Sequence, residues 1–580
     1  MFDFLKGSET TGSGASEKKE LSIEKRLLLA FVLMGAVLFT TPYFFKTPPA
    51  PPAAAKKGEP APAAGTPPQT AVQPGAKPPE PAAPSAAPAG QVSAQREETV
   101  TVETDIYRIV FWNRGAVVQS WVLKKYKDSA SKPLELVNTA AAPQTGFPFS
   151  LDFKNTKPAV DLNNVLYAVN KSDDGLEISF EYSDGKVSAR KTFHFTKNAY
   201  QSQVTTEVHS GGVPVPHLIQ WRGGFGDMTV PSPVAAQHGI YYDANAGKLV
   251  TTEAKEAKNG PVSVVGSFSF AGLEDTYFTA AFLPGSGPVE MKTFDDKAPT
   301  PHNSTPEQLT GAAVGGDGIN KMALFVGPKD LDILKQVNPK LEQVVDFGWF
   351  SFIAKPLFLV MHWLTDNYIH NYGWSIILMT IFINFALFPL KISSMKSMKK
   401  MQALQPQIAA INEKYKNVGM RDPKKQEQNQ EVMALYSKHG VNPLGGCMPM
   451  ALQMPFLFAF YKVFSIAIEM RGASWLWVTD LSQHETIPIH LLPIAMIATQ
   501  FIMQKMTPAT TGGDPAQQKV MMFMPLMFGF MFYNASAGLV LYWLTGNIVN
   551  IAQQWFFNRT AVAADVAQSV QVTKKKNGRK

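Results

Sequence analysis

Residues 372–389 read Tyr372-Gly373-Trp374-Ser375-Ile376-Ile377-Leu378-Met379-Thr380-Ile381-Phe382-Ile383-Asn384-Phe385-Ala386-Leu387-Phe388-Pro389, and four lysines follow at Lys391, Lys396, Lys399 and Lys400. An apolar helix of this kind approaches the ~20 residues that a bilayer core requires, and the basic run marks its cytoplasmic end. Inside it sits one amide, Asn384, which lipid cannot hydrogen-bond. Two readings stand open: a helix-packing contact, or the lining of a wet cavity.

The rest of the 580 residues is 45% apolar, concentrated in a few long runs, as in a membrane protein. The net charge is +8, but the basic residues gather beside apolar runs and at the C-terminus. Anionic phospholipid or a ribosomal surface fits that placement, and DNA does not. Cys447 is the single cysteine, so neither a disulfide framework nor a thiolate metal cage forms within one chain.

Taken in order, residues 1–26 are a polar cytoplasmic N-terminus ending in Lys25-Arg26, and 27–45 form an uncleaved transmembrane anchor. Residues 46–96 are rich in Pro and Ala and read as an extended spacer. Over 97–336 the pattern alternates with period two, as in Ile106, Arg108 and Val110, which predicts a large antiparallel β-sandwich outside the cytoplasm. Asp184-Gly185 between two alternating runs predicts a hairpin turn. No nucleophile elbow, metal-spaced histidines or phosphate loop occurs there. Asp227, Glu274 and Asp275 are read as surface charge, and the sequon at Asn303 is weakened by Pro306.

Residues 337–370 read as an amphipathic helix lying on the membrane, with Trp349 and Trp363 at headgroup depth. Further spans are predicted at 371–390, 442–468, 488–504, 519–534 and 537–557, which with the anchor makes six. A periplasmic loop covers 469–487 and a cytoplasmic loop 505–518. The basic tail, 558–580, ends with Lys574, Lys575, Lys576, Arg579 and Lys580, which are read as contacting ribosome or lipid. Both termini fall in the cytoplasm by the positive-inside rule.

Residues 391–441 read as a cytoplasmic helical hairpin, kinked at Pro406, its second helix starting at Asp422-Pro423. Met395, Met398 and Met401 recur on one face. Flexible thioethers suit a surface that accepts many apolar sequences, and they equally suit a hairpin seam. Lys399 and Lys400 join them as candidate contacts for client or ribosome. Asn442 to Pro449 then forms a Gly/Pro joint leading back into the membrane.

Asn442-Pro443-Leu444-Gly445-Gly446-Cys447-Met448-Pro449, Gln453-Met454-Pro455, Gln504-Lys505-Met506, Asp514-Pro515-Ala516-Gln517-Gln518-Lys519, Phe523-Met524-Pro525 and Ser536-Ala537-Gly538-Leu539-Val540-Leu541-Tyr542-Trp543 come next in order. Together they resemble the YidC-type membrane protein insertases of Gram-negative bacteria. The likeness extends to the anchor, the linker, Thr104-Asp105 to Gly115, and Val326-Gly327-Pro328-Lys329.

The resemblance implies an α-helical polytopic protein of the cell inner membrane with six transmembrane helices, five of them forming the insertase core. A large periplasmic β-supersandwich and the cytoplasmic hairpin complete it. It implies a hydrophilic groove, open to cytoplasm and lipid, through which nascent integral membrane proteins enter the bilayer, alone or beside the Sec translocon, with translating ribosomes docked nearby. No catalysis, cofactor or metal is implied. Thr380, Asn384, Gln453, Tyr542 and Trp543 fall at groove positions, with Asn384 as part of the wet lining.

Asn384 departs from the family, which commonly has arginine five residues before that proline. An asparagine holds water but attracts no acidic flank. Lys462 is a poor substitute, since it lies ~24 Å along its helix from the cytoplasmic end against ~10 Å for Asn384, and it is expected to snorkel towards the periplasm. The alternative class, a transporter or ion channel, calls for an inverted repeat that the spans lack. A sugar-active β-domain is the third possibility.

Overall fold

The computed structural model describes residues 90–154, 157–229, 236–285, 287–416, 424–440, 448–506 and 515–577. The anchor, most of the linker, Asp422-Pro423, the joint at 442–447, Arg579 and Lys580 lie outside them. The described residues divide into two units, one holding those up to Ala409 with those from Tyr436 onward, and a smaller one holding those within Ala410–Leu435.

The first part of the larger unit is an all-β sandwich in which every described pairing is antiparallel. Its main sheet has eleven strands: nine run in space from Gln91–Val92 through Glu177–Asp184, Val187–Phe195, Gln201–Ser210, Ile319–Pro328, Phe278–Pro284, Phe268–Glu274 and His238–Asp243 to Lys248–Thr252, and off this path Ala168–Lys171 pairs with Glu177–Asp184 and Val213–Pro214 with Gln201–Ser210. A five-stranded sheet and a four-stranded sheet complete it. Period-two alternation sends one side chain set into the core, where Trp121, Phe149, Phe193 and Trp221 pack as offset and edge-to-face pairs. At the 184–185 turn, pairing ends at Ser183 and Ser188. The Asp184 carboxylate accepts from the Lys186 and Val187 amides, and Gly185 supplies the φ of 86° that the bend demands.

The three carboxylates read as surface charge are not at the surface. Asp227, Glu274 and Asp275 are 1%, 6% and 1% exposed. Asp227 takes the Arg471 guanidinium, which also donates to the Lys127 carbonyl at 2.7 Å and lies over Tyr277 and Phe278. Glu274 pairs with Lys329 at 3.0 Å. Asp275 accepts from the Asp227, Tyr277 and Phe278 amides, while burial pushes its carboxyl up to about 6. Buried charge persists only where such partners exist, and the cationic partners, Arg471 for Asp227 and Lys329 for Glu274, are far away in sequence.

The helices begin with α1 (Leu331–Val337), capped by Asp330, and α2 (Ser351–Leu364). One face of α2 and its approach expose Trp349, Phe352 and Trp363, while Ala354, Phe358 and Met361 are buried. Next come α3 (Tyr372–Ala386), α4 (Phe388–Ala403), α5 (Gln405–Lys414), α6 (Lys424–Lys438), α7 (Met448–Ile466), α8 (Leu491–Met506), α9 (Pro515–Phe532) and α10 (Ala537–Asn577). Among the described residues no single helix is both long and apolar enough to cross a membrane, but α3 and α4 together are, bent by 58°. Pro389, in the first turn of α4, removes an amide donor at that bend. The helical path is broken again between Ala403 and Gln405, just before Pro406.

α3 packs most extensively on α10, which also carries α8, while α2 rests on α7. Gly373 permits the loop after α7 to close on α3, because a Cβ there would sit 2.2 Å from Trp475 Cδ1. Glu485 accepts from the Leu492 amide at 2.9 Å and so caps α8. Within the smaller unit, Glu431 accepts from Lys414 and Tyr415, and Gln428 donates to Asn412.

Candidate functional site

Along α3, Thr380 and Asn384 lie four residues apart and share a face. Leu378, Phe382 and Phe385 occupy the opposite side, 46%, 70% and 60% exposed, whereas Thr380 and Asn384 are fully buried. Each spends its donor on its own helix: Thr380 Oγ1 donates to the Ile376 carbonyl at 2.6 Å, and Asn384 Nδ2 to the Thr380 carbonyl at 2.8 Å. Facing them on α10 is a stripe formed by Tyr542, Gly546, Asn550 and Gln553, spaced four, four and three residues apart. A Cβ on Gly546 would stand 4.0 Å from both Asn384 Nδ2 and Thr380 Cγ2, so α10 faces these two residues across the seam with room for a methyl group.

Lys391 completes the cluster. It is 3% exposed, and its ammonium donates to Asn384 Oδ1 and to Asn550 Oδ1, both at 2.6 Å. On a straight helix Lys391 would stand about two turns beyond Asn384. The bend between α3 and α4 folds it back onto the C-terminal end of α3, where the carbonyl ends of the helix dipole favour a cation. Gln553 Nε2 donates to the Asn384 carbonyl at 3.1 Å, serving an acceptor in the last turn of α3. The Oε1 of that same side chain is buried with no donor among the described residues.

In this conformation the Asn384 side chain is fully buried between α3 and α10. Gln453 donates to the Tyr542 hydroxyl, and the Tyr542 ring lies 4.2 Å from that of Phe460. Trp543, one residue on, points elsewhere. It packs on Phe528 and Phe532 of α9, and its Nε1 donates to Gln500 Oε1 at 3.5 Å.

Met395, Met398 and Met401 are 8%, 6% and 1% exposed, so in this conformation they fill packing space and present no surface. Lys399 Nζ sits over the Phe557 ring at 5.7 Å, and Lys400 is exposed. Lys574, Lys575 and Lys576 fall within α10. Lys462 lies away from the seam, beside the loop that leads into α2, where a Cβ on Gly348 would be 3.7 Å from Lys462 Cε. Sequence reading missed Lys391, Gly546, Asn550 and Gln553 as site residues. The one-face spacing on α10 was the signal that could have found the last three.

Residues 99–360 match the family model for the YidC periplasmic domain, and residues 363–564 match the model described as 60Kd inner membrane protein. The membrane protein insertase YidC of Syntrophus aciditrophicus (strain SB) is 36% identical over 576 residues, covering 93% of this chain and 100% of that one. Its counterpart from Geotalea daltonii is 35% identical over 564 residues, again 93% and 100%. A solved structure of an active YidC insertase with its first transmembrane domain resolved aligns with 80% of this chain and 93% of its own, at 19% identity and a TM-score of 0.35. With an all-β sandwich matching one model and the helices of the polar seam matching the other, this chain belongs to the YidC family of inner membrane proteins.

Proposed function

We propose that this chain inserts integral membrane proteins into the bacterial inner membrane, and that the α3–α10 seam is the route taken by the polar flank of a client. The observation that carries this is the burial of Thr380, Asn384, Lys391 and Gln553, with half-buried Asn550 beside them, behind an α3 face that exposes Phe382 and Phe385. In a bilayer that exposed face meets lipid, and the polar groups behind it cannot be satisfied by lipid.

The physical task is a barrier. Carrying one Asp, Lys or Arg through a bilayer centre costs about 2.5 to 3.5 kcal/mol on insertion scales. Separation of α3 from α10 would expose amides and an ammonium able to replace the water that the flank gives up. Burial of the client's apolar segment in lipid then supplies the drive, and an acidic flank gains about 2.3 kcal/mol per charge per 100 mV of membrane potential. No nucleotide is needed.

In this reading the anchor at 27–45, the α3–α4 pair, α7, α8, α9 and the first part of α10 are the six spans. The β-sandwich is periplasmic, and α2 lies at the interface. Translating ribosomes and anionic phospholipid meet Lys399, Lys400 and the basic tail, and the Sec translocon is a neighbour for larger clients.

The test is reconstitution. Liposomes containing the purified chain should receive a ribosome-held single-span client with its flank protected from external protease. Equal protection in liposomes lacking the chain would remove the proposal.

A further inference from the structure

The stretch 467–490, between α7 and α8, is bonded to itself. Trp475 and Val478 exchange amide–carbonyl bonds at 2.8 Å, and the Leu481 amide donates to the Ala473 carbonyl at 2.9 Å. Ile468, Met470, Val478 and Leu481 are buried. A loop packed by its own side chains moves as one piece.

On one side this loop covers the starts of α3 and α10. Trp475 fills the space left by Gly373, and Asn371, which caps α3 by accepting from the Trp374 amide, donates to the Ser474 carbonyl at 2.9 Å. The first amides of a helix have no acceptor within it. In α10 the loop supplies them: Ala537 donates to the Gln483 carbonyl at 2.7 Å and Gly538 to the Leu481 carbonyl at 2.9 Å.

On the other side the sandwich grips the loop near both of its ends. Arg471 reaches Asp227 and the Lys127 carbonyl and lies over the Tyr277 and Phe278 rings. Further along, Ser482 shares a side-chain hydrogen bond with the Tyr277 hydroxyl. Tyr277 is itself buried, so one fixed ring meets both grips. The Arg471 and Asp227 side chains are 10% and 1% exposed, and removing either partner strands the other's charge.

We propose that this loop is a stopper on the α3–α10 seam at the end away from Lys391, that the sandwich seats it, and that Arg471 is its positioning residue. Released from Arg471, the loop carries Trp475 off Gly373 and leaves the first α10 amides without acceptors, and this end of the seam opens to water. Placing that end in the periplasm, where a client's flank leaves, rests on the insertase reading above.

The test uses the full chain in spheroplasts, with Cys447→Ser removing the native thiol and Ile376→Cys adding one. Ile376 is fully buried, one turn before Thr380 on the same face of α3. A membrane-impermeant maleimide should label it slowly, and on the order of tenfold faster in Arg471→Met and in Asp227→Asn, the scale of one lost hydrogen bond to a charged group. Arg471→Lys keeps the cation and should keep labelling slow. Arg471→Met and Asp227→Asn together should label no faster than either alone, because the two residues make one contact. Fast labelling with the seat intact, unchanged rates in the variants, or rates that multiply in the double variant would overturn the assignment.

Tyr277→Phe is a milder variant, which deletes one hydroxyl and leaves the ring beneath Arg471. Labelling should rise on the order of fivefold, as for one neutral hydrogen bond. No rise contradicts the grip at Ser482. Failure of insertion into liposomes with this labelling pattern intact removes the insertase reading and leaves the stopper, whereas insertion with labelling indifferent to Arg471 removes the stopper alone.

Discussion

Two buried lysines, one in the β-sandwich and one in the helical part, are built to different ends. Lys191 is fully buried and gives its three donors to the carbonyls of Gly115 and Phe149, at 2.7 Å each, and of Ala116, at 3.2 Å. Those carbonyls lie in loops just ahead of Val117–Lys127 and Ser150–Phe153, so the lysine staples two loops to the strand Val187–Phe195. Lys391 is nearly as buried, but it meets two side-chain amide oxygens in place of three backbone carbonyls. A saturated cation on backbone oxygens is a structural clamp. A buried cation held only by side-chain amides is a candidate site.

The largest expected effect separates them by stability. Lys191→Met strands buried backbone acceptors and should cost on the order of 3 kcal/mol in denaturant unfolding of the sandwich. Lys391→Met should cost about 1 kcal/mol or less, because an uncompensated buried charge leaves with the donor. Equal losses would erase the distinction.

Titration sharpens it next. Burial pushes the Lys191 amine down to about 7, from an ordinary 10.5. Between those values the unfolded chain binds the proton and the folded chain does not, so stability should rise with pH across that window and level off at its lower value below pH 7. The neutral amine still has two donors for the two shorter contacts. Lys191→Met should lose this rise relative to wild type; parallel pH profiles for the two would contradict the assignment.

The smallest effect concerns the seam's packing. A Cβ on Gly546 would meet its neighbours at ordinary contact distance, so Gly546→Ala should shift stability by no more than about 0.5 kcal/mol. A loss of several kcal/mol would mean that α3 and α10 lie closer than described.

Much of this was legible in the sequence. Period-two alternation marked the sandwich, and the ordered Gly, Pro and aromatic motifs of the C-terminal half marked the family. What escaped was pairing across distance. Asp227 looked like surface charge because Arg471 stands 244 residues away, and Lys391 looked like a topological marker because Asn550 stands 159 away. A local pattern carries charge and periodicity, but it cannot tell whether a helix bends a lysine back into its own apolar run. Nor could it separate the two roles of Met395, Met398 and Met401, which burial in this conformation assigns to packing. Tyr542 and Trp543 read as a pair, yet adjacent residues on a helix point about 100° apart and meet different neighbours.

The most direct test of the central claim is site-specific photo-crosslinking during insertion. A photoreactive side chain at Thr380, Asn384 or Asn550, challenged with a ribosome-held single-span client, should capture that client. The same probe at Phe382 on the opposite face of α3, or at Lys462, should capture much less. Capture confined to Phe382 or Lys462, with none from the seam, would contradict the account.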